Sequence, residues 1–126
     1  MADDNGRARV LKVARWLIIQ GTLELLVAVI VGVGWASQQG MFIGEYGGFQ
    51  GAAFLVIAAC ALLGGIVKLA AGRRNREFRG RSLGITALWS SLLSVGTCYC
   101  FPTAAILLVY GLRVYTDPTV RDLFHD

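Results

Sequence analysis

The sequence predicts an all-α membrane protein: a four-transmembrane-helix bundle of two hairpins, N-in and C-in, with a short C-terminal interfacial helix. Three observations carry that expectation. Of 126 residues, 56% are hydrophobic and only 16% charged, where an ordinary soluble domain carries about 25% charged residues. The apolar residues fall in blocks on the scale of a bilayer crossing. The Lys and Arg residues occur only in alternate polar segments, so a single membrane face can receive them all. The length suits one domain, residues 1–126.

The first segment, Met1 to Arg15, is polar and carries Arg7, Arg9, Lys12 and Arg15. Asp3, Asp4 or Asn5 can cap a helix that begins inside it. Span one, about 16–35, is bracketed by Trp16 and Trp35. Tryptophan favours the membrane interface, and the steps between these two, at about 1.5 Å each, give roughly 28 Å, close to the hydrocarbon thickness. No A-x-A-like cleavage site follows this block, so no cleavable signal peptide is expected. Ser37 to Gln50 is a glycine-rich connector with Glu45 and no Lys or Arg. Span two covers about 51–71. An arginine loop leads to span three, about 82–99. Cys100-Phe101-Pro102 turns into span four, about 103–115.

The last piece, DPTVRDLFHD, begins with a helix cap (Asp117) and a proline suited to the first helical position (Pro118). Val120, Leu123 and Phe124 follow at i, i+3 and i+4, which predicts a short amphipathic helix over about 118–124, lying on the membrane surface.

The basic residues set the topology. They lie in the N-terminal segment, in the Lys68–Arg81 region and at Arg113 and Arg121, with none in the first connector or the second turn. All of them then face the cytoplasm, which predicts a bacterial cytoplasmic (inner) membrane protein with both termini inside.

Glu24 most needs explaining. It lies nine residues past Arg15, about 13 Å deep, where a carboxylate costs at least ~2.5 kcal/mol and normally faces protein or water. Gln20, Glu24, Ala28, Gly32 and Ala36 form an i+4 row, and small residues on one row let a second helix approach closely. Lys68, on a row with Gly64 beside Gly65, is a candidate partner. Side chains lean toward the N-terminus of their own helix, so on antiparallel spans Glu24 and Lys68 lean toward each other. Gln20 can assist the pair. The alternatives are that Lys68 snorkels to the headgroups and that Glu24 is protonated and bonded locally. A third reading makes Glu24 a proton or ion site.

Arg73, Arg74, Arg76, Arg79 and Arg81, against Glu77, form the densest charge cluster. Such a cluster orients the protein and attracts anionic lipid, with an acidic partner as a second reading. Thr86, Ser90 and Ser94 share a row on span three and read as helix glue. Cys60 reads as a packing residue, and Cys98 and Cys100 are too close in sequence for an easy mutual disulfide. With His125 as the lone histidine, and with no phosphate loop, nucleophile elbow or zinc signature, the sequence predicts no enzyme and no cofactor. The charge placement predicts no nucleic-acid partner.

A span ending in A-G-x-R, an arginine-rich connector into R-x-L-G-I, and a close in YGLRVYTDPTVRDLF resemble a loose class of small bacterial four-span membrane proteins. The resemblance covers about Ala70 to Phe124 and implies fold and bacterial origin, with no activity to carry over. Arg113 stands where that pattern has an apolar or aromatic residue. The small multidrug resistance family also places a glutamate in its first span, but its A-E-x-x-G-T-type context is absent around Leu23-Glu24-Leu25.

The leading functional expectation is a non-catalytic membrane subunit that packs against itself or a larger membrane complex. The alternatives are a small ion or proton-coupled transporter using Glu24, and a membrane-surface regulator using the arginine cluster.

Overall fold

The computed structural model describes residues 2–37, 47–96 and 101–124. These form five helices: α1 (Ala2–Ser37), α2 (Gly47–Arg76), α3 (Arg81–Gly96), α4 (Phe101–Thr116) and α5 (Pro118–Arg121). Most of the glycine-rich connector, with Glu45, lies outside the described residues, as do Cys98, Cys100 and His125.

The expectation of four spans is corrected. Among the described residues two stretches, Asp4–Ser37 and Gly51–Arg76, are long and apolar enough to cross a membrane, their most apolar parts having mean hydropathy 2.1 and 2.3. α3 and α4 have 16 residues each, about 24 Å at 1.5 Å per residue, against a hydrocarbon core of about 30 Å. Their composition is apolar enough for a span, but their length is not. The first two spans, in turn, extend beyond the expected 16–35 and 51–71. α1 already runs helical from Ala2, and α2 continues through Arg76, so half of the arginine loop is helix.

α1 and α2 are antiparallel, and glycine sets their spacing. A Cβ on Gly21 would stand 2.8 Å from the Gly65 carbonyl oxygen, and one on Gly65 would stand 2.9 Å from the Gly21 carbonyl oxygen. Two turns further, a Cβ on Gly72 would meet the Ala14 carbonyl at 2.9 Å. The contact therefore runs along Ala14, Gly21 and Ala28 on one helix and Gly65 and Gly72 on the other, small residues repeating every seven. That repeat keeps one seam facing the partner in a left-handed crossing. The expected row of fours leaves the seam. Ala28 is buried, Gly32 has open space within 4 Å of its would-be Cβ, and Ala36 is exposed.

α3 and α4 pack as a hairpin on the basic half of the α1–α2 pair. Val10, Val13, Leu17, Ala71, Ala87, Leu88, Leu107, Val114, Tyr115 and Val120 form the core there. At the other half, Val29 (61%), Ile30 (69%) and Val33 (63%) are exposed.

The tail also differs from expectation. Asp117 caps α5, with the Thr119 backbone N–H donating to its side chain, but the apolar face turns inward rather than onto a membrane surface. Val120 is fully buried, and Leu123 would touch a Cβ on Gly6 at 3.1 Å. Phe124 stacks edge-on against Tyr115 (5.8 Å) and Phe78 (6.4 Å).

Candidate functional site

The site is built on the α1–α2 seam. Glu24 lies one turn past Gln20 on α1, and Lys68 lies on α2 between Gly64 and Gly72. The Lys68 ammonium meets Glu24 Oε1, and both side chains have 0% exposure. Gln20 Nε2 donates to the same oxygen at 3.4 Å, and Gln20 is itself buried. Gly64 makes the space. A Cβ there would stand 2.9 Å from Glu24 Oε2, so the carboxylate occupies the volume a side chain would fill. The expected positions Glu24, Lys68, Gln20, Gly64 and Gly65 thus share one contact region, whereas Gly32 and Ala36 do not belong to it.

Two opposite charges in contact offset part of each other's cost of burial, and breaking such a pair is costly. Among the described residues no three His, Cys, Asp or Glu side chains gather as a metal site.

The arginines divide. Arg73, Arg74, Arg76 and Arg79 are exposed. Arg73, Arg74 and Arg76 fall in the last turns of α2, where cations are favoured by the helix dipole. Arg81 is half-buried and committed elsewhere. Its Nε and Nη2 donate to the Tyr115 carbonyl oxygen at 3.0 and 2.6 Å, capping the end of α4. It has no place in a lipid-facing set.

Every Lys and Arg lies in the described structure, and apart from Lys68, held in the seam, the contacts bring them toward one end. α1 begins beside the end of α4, with Arg9 bonded to Asp117 at 3.4 Å and Lys12 over the Tyr110 ring at 5.7 Å. The end of α2 lies beside the start of α1 through Gly72 and Ala14.

No family model matches the chain, and no curated protein or solved structure does.

Two residues at this basic end are invisible to motif reasoning. Asn75, inside the arginine cluster, is fully buried. With its amide set to satisfy its neighbours, it accepts from the Tyr115 hydroxyl at 2.5 Å and donates to the Arg79 and Gly80 carbonyls at 3.1 and 3.3 Å. It ties the α2–α3 turn to α4. Phe78 stands in that turn at φ 55°, in the C′ position of a Schellman motif whose bonds run from Arg79 N to Arg74 O and from Phe78 N to Asn75 O. The only legible signal for either was an uncharged residue interrupting a charge run.

Proposed function

We propose that this chain is a non-catalytic subunit of a bacterial cytoplasmic membrane. α1 and α2 insert as an antiparallel hairpin with the basic end inside, and their apolar faces pack against a second copy or a larger membrane complex. The observation that carries the reading is the closure of the Glu24–Lys68 pair: these two oppositely charged groups lie in contact, and both side chains have 0% exposure. A transporter working through Glu24 would need water at that carboxylate. The 18-residue apolar windows of α1 and α2 are 28% and 22% buried, whereas the core helix of a soluble protein is mostly buried. The exposed remainder calls for an apolar medium or an apolar partner. The segregation of the Lys and Arg residues other than the buried Lys68 at one end supports the orientation, and the terminal resemblance to small bacterial membrane proteins supports the compartment. The exposed Arg73, Arg74, Arg76 and Arg79 favour contact with anionic lipid on that side.

The test is purification in a mild detergent from the native membrane, with cross-linking before extraction and identification of what co-purifies. A defined oligomer or a stoichiometric membrane partner is expected. A monomer that instead carries a proton-coupled flux in liposomes, lost in Glu24→Gln, would overturn the subunit reading in favour of the transporter.

A further inference from the structure

Between α1 and α4, toward the basic end from the buried ion pair, lies an open groove of about 280 Å³. Lys12, Trp16, Thr103, Ile106, Leu107 and Tyr110 line it. The walls are almost wholly apolar and the mouth is cationic. Lys12 holds its ammonium at the mouth, 5.7 Å from the Tyr110 ring centroid. Arg113, exposed, follows Tyr110 by one turn on the same stripe of α4. The acid in this neighbourhood, Asp117, is already engaged by Arg9 and by Thr119, so the mouth retains positive charge.

We propose that this groove is a binding site for one anionic phospholipid, its phosphate at Lys12 and one acyl chain laid along Trp16, Leu107 and Ile106 toward Thr103. Three features select that occupant. The polarity runs the correct way: Lys12 lies about one turn, or ~6 Å, on the basic side of Trp16, and tryptophan sits at headgroup level. The apolar part therefore extends into the hydrocarbon while the ammonium stays among headgroups. The volume lies at the lower end of small-molecule sites, roughly 300 Å³, which suits one chain rather than a folded protein segment. The charge of Lys12 complements a phosphate, which a neutral headgroup would not match. This site is distinct from the diffuse attraction of the exposed arginines on α2, because it joins a fixed cation to a shaped apolar wall.

The site requires the bilayer setting proposed above, and failure of that setting shows separately, as protein that stays dispersed without detergent. The experiment is native mass spectrometry of the detergent-purified full chain, titrated with phosphatidylglycerol or phosphatidylcholine of the same acyl chains. The wild type is expected to retain a single phosphatidylglycerol with a preference of about fivefold over phosphatidylcholine, the factor that one basic residue near a membrane surface supplies at roughly 1 kcal/mol. Lys12→Gln should abolish the preference while leaving some retention. Ile106→Trp, at an exposed position that fills the groove, should lower retention of both lipids. Arg73→Gln with Arg74→Gln should leave the single retained lipid unchanged. Equal preference in the wild type and Lys12→Gln would overturn the proposal, as would loss of the lipid only in the Arg73/Arg74 variant.

Discussion

Replacing Glu24 by Gln keeps the shape of the side chain and removes its charge, leaving the Lys68 ammonium in a contact that has no exposed surface. No water reaches it, and Gln20, whose amide already donates to position 24 at 3.4 Å, brings no negative charge. Removing one partner of a buried pair costs about 3–5 kcal/mol, whereas exchanging both for neutral groups of similar volume is often without cost. Glu24→Gln is therefore expected to destabilise by about 3–5 kcal/mol, and Glu24→Gln with Lys68→Met to recover about 2–4 kcal/mol of it, a coupling that a double-mutant cycle isolates. The assay is reversible unfolding in mixed micelles by a denaturing detergent, followed by far-ultraviolet circular dichroism. The space left by Gly64 supplies a control on geometry: Gly64→Ala pushes a methyl to within 2.9 Å of Glu24 Oε2 and, because Gln keeps that shape, should destabilise the wild type and the double variant alike. A Glu24→Gln protein weakened by less than about 1 kcal/mol would mean that the ammonium finds solvent, and the dry-pair reasoning would fail.

Other expectations follow from the packing. Gly21→Val and Gly65→Val each drive a side chain into the opposing backbone and should cost at least about 1–3 kcal/mol, while Gly32→Ala and Gly34→Ala, with nothing within 4 Å, should be neutral or gain up to about 1 kcal/mol; the same micelle unfolding measures both. Tyr115→Phe leaves the buried Asn75 oxygen without its donor and should cost about 1–3 kcal/mol, with faster hydrogen exchange at residues 77–80. Asp117 is held below its ordinary value of 3.8 by the Thr119 hydroxyl and backbone N–H, with Arg9 adding its charge. A lowered carboxyl stabilises the fold fully above its unfolded value and loses that contribution as pH falls through the folded one. Exchange protection of residues 118–124, corrected for intrinsic rate, should therefore drop as the pH falls below the ordinary carboxyl value of 3.8, and Asp117→Asn should flatten the change.

Much of the seam was within reach of the sequence. A glutamate nine residues past the last arginine of its segment has to face something polar, and the opposed lean of side chains on antiparallel helices brings Lys68 to it. Charge segregation, likewise, needs only a count by segment. What the sequence hid has physical causes. A row of fours at Gln20, Glu24 and Ala28 is one reading of the same helix face that the row of sevens at Ala14, Gly21 and Ala28 describes, and only the partner helix decides between them. Hydropathy reports that α3 and α4 are apolar without reporting where they end, and their length removes them from the spans. The tail's i, i+3, i+4 pattern states that one face is buried and is silent on whether lipid or protein buries it. Asn75 reads as a polar loop residue because nothing in its neighbours predicts the Tyr115 hydroxyl arriving from forty residues away.

The placement of Phe78 shows what holds the basic end together. A residue with a Cβ at φ 55° costs about 1–2 kcal/mol relative to glycine, the usual occupant of that position. The chain nonetheless carries phenylalanine there, and its ring is the meeting point of three segments: Phe124 from the tail at 6.4 Å, Arg7 from the start of α1 at 5.6 Å, and the turn itself. An aromatic pair contributes about 0.5–1.5 kcal/mol and an exposed cation–π contact about 0.5–1 kcal/mol, so the contacts offset the strain within its uncertainty. Phe78→Gly should accordingly change global stability by less than about 1 kcal/mol while releasing the tail, measured as faster proteolysis after Tyr115. A gain of the full strain energy with the tail still docked would mean that the ring contacts contribute nothing, and that α5 is held by Val120 and the Asp117 cap alone.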